Sequence, residues 1–311
     1  MRQTAMNAVF ELAKRDPRVV FIGSDLGSGT LDAMKKEMPE RFFMEGVSEA
    51  HIIGMAAGLA MNGYIPYINT IATFLTRRCL EQIAIDLCLH DLPVRLLASG
   101  GGVVYAPLGP THMAIDDVGL LRTLPGMTIV APSDADEMQR TMNATLNFPG
   151  PVYVRIAKGG DPIVSRPENG FEIGRPIVLR EPGDVLIISS GVMTARALHA
   201  AELLGERGVE AGVLHVHTIK PLDVEAIVRV ARVPSLLVTV EEHSLVNGLG
   251  SAVAEVIVDR NVMKPLLRLG LPDAFSSLYG SQDDVLRAAG LLAPQLVDSI
   301  LAAVERVGVP L

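Results

Sequence analysis

The stretch RFFMEGVSEAHIIGMAAGLAMNGYIPYINTI, Arg41 to Ile71, decides the fold. RFFMEGV reads as a short strand and YIPYINTI as another. Between them, GVSEAHIIGMAAGLA reads as one helix, apolar along nearly its whole length. Strands that alternate with helices imply a parallel sheet covered on both faces. One residue breaks the apolar pattern: Glu49, an acid at the mouth of a helix otherwise built for burial. End chemistry explains it, with Ser48 as N-cap and Glu49 in a first turn whose dipole favours negative charge. A functional carboxylate is the other reading, and the stretch alone leaves both open.

The alternation continues on both sides. RVVFIGSDL (Arg18–Leu26) is a strand running into a glycine-rich turn. TRRCLEQIAIDLCLHD (Thr76–Asp91) places Leu80, Ile83, Ala84, Leu87 and Cys88 on one helical stripe. VRLLAS, MTIVAP and PVYVRI are strands, and DADEMQRTMNATLN is a helix capped by Ser133. Ala157–Asp184 is rich in Gly, Pro and charge and reads as a linker. Beyond it VLIISSG, VEAGVLHVHTI, SLLVTVEE and PLLRLGL are strands separated by helices. The expected fold class is α/β, two doubly wound domains over 1–160 and 181–311, joined by a linker at 161–180. A length of 311 residues fits two cores better than one.

Hydrophobic residues make up 49% and mean hydropathy is +0.35, yet no apolar run approaches the roughly 20 residues of a spanning helix. The surplus apolar surface is expected in subunit contacts. A formal charge of −8 without a Lys/Arg cluster argues against nucleic acid and anionic membrane as partners. The two cysteines, Cys79 and Cys88, cannot face each other on one helix, and the N-terminal helix lacks a signal-peptide apolar region; the expectation is reduced thiols in a cytoplasm.

No phosphate-loop motif occurs. GLGSA at Gly248–Ala252 resembles a dinucleotide fingerprint, but Val253 fills the third small position and EEHSLVN separates the glycines from the preceding strand. A glycine-softened helix start fits better. His215 and His217 share a strand face without a nearby third ligand type, which suits packed histidines more than a metal site. His112, on a turn after Gly109–Thr111, is placed where α/β sheets collect ligands and can donate, accept or shuttle a proton, or else cap a helix. Arg155, at a carboxyl strand edge, suits a carboxylate or phosphate, or a surface ion pair. Phe74 lies in a loop and reads as a stacking platform or a minor core anchor.

Taken in order, GSDLGSG, RFFMEGVSEAHIIGMAAGLAMNGYIPY, TFLTRRCLEQI, GPTHMAIDDVGLLRTLPGMTIVAPSDADE, PVYVRIAKG, HTIKPLD and VEEHSLVNGLGSAVAE resemble the C-terminal half of transketolase, and deoxyxylulose-phosphate synthase similarly well. The resemblance implies a thiamin diphosphate pyrimidine-binding domain followed by a transketolase C-terminal domain. It implies that Glu49 binds N1′ of the cofactor's aminopyrimidine and shares a proton with it, so that the coenzyme becomes its own base. Such a carboxyl must keep or share a proton near neutrality; burial favours that and the helix start opposes it. The resemblance further implies that Phe74 stacks on the pyrimidine, Leu26 supports the cofactor's bent shape, and His51 and Arg77 lie near it. His112 would contact the substrate's oxygens and move protons, Arg155 would bind a sugar phosphate, and Ser28 would face the substrate.

Departures from the family are specific. No GDG motif occurs, so Mg²⁺ and the diphosphate are expected to be held by a separate N-terminal transketolase polypeptide carrying GDG and Asn, in an α2β2 assembly. Leu108 stands where transketolases carry an acid that reads a donor hydroxyl. Gly100 and Gly101 stand where relatives place a second phosphate-binding His or Arg. The sugar is therefore expected to be an unusual ketose, a non-phosphorylated or sulfonated sugar, or a smaller 2-oxo compound. Two other readings stay open: the β subunit of a 2-oxo acid dehydrogenase E1, and a non-catalytic α/β scaffold or regulatory subunit.

Overall fold

The interior strand-forming runs Val19–Gly23, Arg95–Ser99, Val185–Ser189, Ala211–His215 and Leu236–Ser244 are consecutive buried residues, as a parallel sheet covered on both faces demands. The computed structural model describes residues 1–24 and 31–308. Its strands are β1 (Val19–Gly23), β2 (Phe42–Met44), β3 (Ile65–Ile71), β4 (Arg95–Ser99), β5 (Thr128–Val130), β6 (Val152–Ile156), β7 (Ile177–Arg180), β8 (Val185–Ser189), β9 (Ala211–His215), β10 (Thr218–Lys220), β11 (Leu236–Ser244) and β12 (Leu266–Leu271). The first sheet runs β10-β5-β6-β4-β3-β1-β2 and the second β12-β11-β8-β9-β7. Pairing is parallel except where β10 meets β5 and β7 meets β9. Both domains are thus doubly wound α/β sheets with helices on each face.

The order decides where a ligand can sit. After β1 the chain steps to one side for β2, then crosses to the other side for β3. That reversal is a topological switch point, and the crevice outside the carboxyl ends of β1 and β3 is where open α/β sheets bind ligands. The helix Glu49–Met61 covers this place. It buries Glu49, Ile52, Ile53, Ala56, Ala57 and Ala60, a stripe with helical period, against Ile22 and Ile68 of the sheet.

Several local expectations are corrected. Ser48 occupies the N-cap position, but its hydroxyl donates back to Glu45 O and does not cap the helix. The cap of the helix Ala135–Thr145 is Asp134, which accepts from the Glu137 N–H, and not Ser133. Asp134 also accepts from Val164 and Ser165 N–H at 2.9 and 2.7 Å, so the Gly/Pro-rich linker is tied to the first domain. The linker carries β7, which no sequence period announced. The helix expected over Thr76–Asp91 is broken: Ala72–Arg77 ends, and a π-helical turn over Ile83–Cys88 follows Leu80–Gln82. Ile83, Leu87 and Cys88 remain buried, so the stripe survives the break. The single strand read over VEAGVLHVHTI is two: β9 joins the second sheet, and β10 leaves it to extend the first.

Among the described residues one stretch, Gln282–Val307, is long and apolar enough by composition to cross a bilayer. Leu286, Leu296, Val297, Ile300 and Val304 are fully buried in the core of the second domain.

The split between β9 and β10 holds a buried polar cluster. His215 bonds Glu137 Oε2 at 2.8 Å through Nε2 and Thr194 Oγ1 at 2.8 Å through Nδ1. His217 stacks on Phe171, with centroids 4.4 Å apart, and its buried Nε2 has no hydrogen-bond partner among the described residues. Burial, then the neighbouring His215, pushes His217 down to about 4, against a pull upward from Glu137. A depressed histidine stays neutral when folded and takes its proton when unfolded. Stability is therefore highest above pH 6.5 and declines as pH falls toward 4, by about 3 kcal/mol for this one group. His217→Phe keeps a flat ring on Phe171 and is expected to flatten that limb. Urea unfolding between pH 4 and 7 checks this; an unaltered slope in the variant would exclude His217 as its source.

Candidate active site

Glu49 enters at the first turn of its helix and is 3% exposed. Ser24, the residue after β1, donates its hydroxyl to Glu49 Oε1 at 3.2 Å. Ser24 is itself fixed by its N–H bond to Asn69 O on β3. The two strands at the switch point thus position the carboxylate. Arg78 donates to Glu49 Oε2 at 3.1 Å, and its guanidinium lies 3.8 Å over the ring of Phe74. His112 meets Phe74 edge to face with centroids 5.1 Å apart, and its Nδ1 bonds Thr111 Oγ1 at 2.9 Å. Ser24, Glu49, Arg78, Phe74 and His112 therefore form one continuous set. Beneath it, Cys79 is pushed up to about 12 by burial and then by Glu49's charge, so it stays a protonated thiol. Cys88 is likewise free and buried.

The other sequence-selected residues fall elsewhere. His51 is exposed and faces Glu45 Oε2 at 3.9 Å, as expected two residues around the helix from a buried Glu49. Arg77 makes a two-pronged ion pair with Asp116, at 2.9 Å from Nε and from Nη2. It borders a cleft of about 450 Å³ that Phe275 and Asn247 also line. Leu26 and Ser28 lie outside the described residues. Arg78 and Ser24 were missed by sequence reasoning. Arg78 had a signal, since it is four residues after Phe74 and so lies on the same helical face. Ser24 had none, because only tertiary pairing of β1 with β3 brings it to Glu49.

Arg155 is already engaged within the chain. The guanidinium offered to a sugar phosphate is engaged with Asp117, Nε to Oδ2 at 2.8 Å and Nη2 to Oδ1 at 3.0 Å. Nη2 also donates to Ala114 O and to Glu242 O, each at 3.0 Å, the latter in the second domain. Burial works against its charge, but Asp117, with Glu242 and Tyr153, outweighs it and holds Arg155 above its ordinary range. Arg155 is thus a clamp between domains. The glycines flagged by the sequence belong to the same arrangement. A Cβ on Gly101 would lie 2.5 Å from Arg155 Cγ, and one on Gly100, at φ +80°, 2.1 Å from the Tyr105 ring. No side chain fits there, so these positions cannot supply the His or Arg of relatives. Gly101→Ala is expected to cost about 1–3 kcal/mol by overpacking the clamp, read as a lowered denaturation midpoint. An unchanged midpoint would show that Arg155 moves aside freely. Leu108 is exposed, on a turn whose Gly109 backs onto the Tyr279 ring.

The second domain's strap VEEHSLVN is accounted for by its bonds. Glu242 Oε1 accepts from Val103 N–H at 2.9 Å, and Gly119 N–H donates to His243 Nε2 at 3.1 Å. Glu241 caps the helix Leu249–Asp259, accepting from Leu249 and Gly250 N–H at 2.7 and 2.8 Å. A Cβ on Gly248 would sit 2.0 Å from Glu241 Oε2. The glycine therefore admits the chain's own carboxylate, not a dinucleotide phosphate. Among the described residues no group of three or more His, Cys, Asp or Glu is disposed to hold a metal.

A doubly wound domain with a buried helix-start glutamate beside an aromatic face, followed by a second such domain, defines a class. The transketolase pyrimidine-binding domain matches residues 1–160 and the transketolase C-terminal domain residues 174–296. The chain belongs to the transketolase family. It is 36% identical over 307 residues to the 6-deoxy-6-sulfo-D-fructose transketolase subunit SqwH of Clostridium sp. (strain MSTE9), covering 98% of this chain and 95% of that protein. It is 39% identical over 301 residues to 1-deoxy-D-xylulose-5-phosphate synthase of Synechococcus sp. (strain JA-2-3B'a(2-13)), where it spans 95% of this chain but 46% of the synthase. Among solved structures, a split-gene transketolase described as an inactive β4 tetramer superposes with TM-score 0.90 at 37% identity, covering 98% of both chains. A mutant transketolase from Pichia stipitis shares the fold at TM-score 0.79 and 17% identity, over 98% of this chain and 45% of that one.

Proposed function

We propose that this chain is the pyrimidine-binding subunit of a two-polypeptide, thiamin diphosphate-dependent transketolase that moves a two-carbon ketol unit from a ketose to an aldose. The observation that carries the reading is the juxtaposition of a buried, hydroxyl-anchored Glu49 with the ring of Phe74, both of them bridged by the half-exposed Arg78 side chain. That donor set suits a planar, nitrogen-rich ring: a carboxylate for ring N–H groups and an aromatic face for stacking. When bound, thiamin diphosphate supplies the carbanion-stabilising carbon. Glu49 holds or shares the proton at the ring nitrogen, Ser24 fixes the carboxylate's orientation, and Phe74 stacks. His112, beside that platform, moves a proton to or from substrate oxygens. Leu26 and Ser28 keep their proposed places, under the cofactor's bend and toward the substrate. Arg155 acts through domain positioning and is not assigned to substrate.

The partner in this reading is an N-terminal transketolase polypeptide that brings the GDG/Asn pyrophosphate site and its Mg²⁺, in a cytoplasmic α2β2 assembly. The inactive β4 tetramer of the split-gene relative supports self-association and silence without that partner. The Clostridium relative's substrate directs attention to sulfonated as well as phosphorylated ketoses. The purified chain alone is expected to bind thiamin diphosphate weakly and to turn nothing over, and both properties to return with the partner. Two-carbon transfer is to be measured over phosphorylated, sulfonated and free ketoses. Full turnover by the chain alone would refute the two-polypeptide reading.

A further inference from the structure

Arg78 makes, with one side chain, the two contacts that the proposed function gives to the aminopyrimidine. Its planar guanidinium lies 3.8 Å over the Phe74 ring and donates to Glu49 Oε2 at 3.1 Å. A guanidinium and an aminopyrimidine share the features that matter: both are flat, both stack on aromatic rings, and both present N–H donors to a carboxylate in the plane. The buried Glu49 carboxylate needs a partner, because an uncompensated charge at 3% exposure is costly. Arg78 supplies it while remaining half-exposed, at 49%, on a short turn between the helix Ala72–Arg77 and Leu80. It can therefore swing into solvent without disturbing the core. By contrast its neighbour Arg77 is tied to Asp116 and has no such freedom.

We propose that Arg78 is a place-holding residue of the cofactor groove: it occupies the stacking face of Phe74 and the carboxylate of Glu49, and loading exchanges this side chain for the aminopyrimidine ring. This inference rests on the cofactor reading above. Two consequences follow from linkage. The Arg78 contacts stabilise the unloaded form and are absent from the loaded one, so they oppose binding by the same factor. Removing them raises affinity, the reverse of what a residue contacting the bound cofactor would show. An exposed stack and a half-exposed ion pair together correspond to roughly a 3- to 30-fold effect.

The test uses the reconstituted two-polypeptide complex and thiamin diphosphate with Mg²⁺. Dissociation constants are measured by calorimetry for wild type, Arg78→Met and Arg78→Lys. Arg78→Met is expected to bind roughly 3- to 30-fold more tightly and to load faster. Arg78→Lys, which keeps the charge but loses the flat fork, is expected to fall between. In thermal melts, Arg78→Met is expected to lower the midpoint of the unloaded complex and leave that of the loaded complex at the wild-type value. Equal or weaker affinity in Arg78→Met, with wild type binding saturably, overturns the place-holder assignment and leaves the cofactor reading standing. No saturable binding by wild type or either variant removes both.

Discussion

Glu49→Gln in the reconstituted complex is expected to lower the rate of two-carbon transfer by about 10²–10⁴-fold, the usual worth of a positioned proton-transfer group. The substitution is nearly isosteric. Ser24 can still donate to the amide oxygen, the helix keeps its buried stripe, and the melting temperature is expected to move by only a few degrees. What is lost is the ability to hold or share a proton at the cofactor ring. The measurement is the initial rate at saturating thiamin diphosphate with a panel of ketose donors, alongside the dissociation constant, so that a binding defect is separated from a chemical one. A residual rate within about threefold of wild type would return Glu49 to the plain role of a first-turn acid, and the scaffold reading would regain ground.

Asp117→Asn is expected to destabilise the chain by about 3–5 kcal/mol, the cost of leaving one member of a buried ion pair uncompensated. Asp117 is fully buried, accepts from Tyr153 OH at 2.7 Å and receives two prongs from Arg155, whose side chain is 11% exposed. The orphaned guanidinium would also loosen its bond to Glu242 O and with it the grip between domains. Replacing the pair together, Asp117→Leu with Arg155→Met, is expected to recover much of the loss, since no buried charge then lacks a partner. Acid carries a related signature. Burial pushes Asp117 up, but Arg155 beside it, with His243 and Tyr153, holds its carboxyl below the ordinary value. A depressed acid contributes its full stability above the unfolded range near pH 3.9 and loses it as pH falls through its lower folded value. Chemical denaturation of Asp117→Asn and of the double variant at pH 7, with wild type followed down to pH 3, tests this. A single variant as stable as wild type would show the clamp to be dispensable.

The two histidine-rich and arginine-rich motifs show how far local reading reaches. For His215 and His217 the sequence suggested packed histidines rather than ligands, and the structure gives His215 the partners Glu137 and Thr194 and His217 the Phe171 ring. For Arg155 residue type suggested an anion, a carboxylate or a phosphate, and in the structure Asp117 of the same chain supplies a carboxylate. Composition says that an arginine wants a carboxylate or phosphate; it does not say whether the protein or the substrate provides it. The Thr76–Asp91 helix failed for a related reason. Its apolar stripe fitted a regular helix, while the turn that carries Arg78 to Glu49 and the π-helical segment after it were imposed by packing.

The layered α/β architecture was legible in the residues alone, because consecutive apolar strands and striped helices have few other ways to bury their surface. So were Glu49, Phe74 and His112 as candidates, since an acid at a buried helix start, an aromatic in a chain with few of them and a histidine after a strand are local oddities, although Phe74 lies in the helix Ala72–Arg77 and not in the expected loop. Which of these meet, and what surrounds them, was settled by long-range packing: Ser24 and Arg78 at Glu49, Asp117 at Arg155, and β10 leaving its own domain to join the other sheet. The reason is physical. Periodicity encodes which face of an element is buried, but partners of opposite charge and strands of distant register are chosen by a global competition for burial that no short window contains.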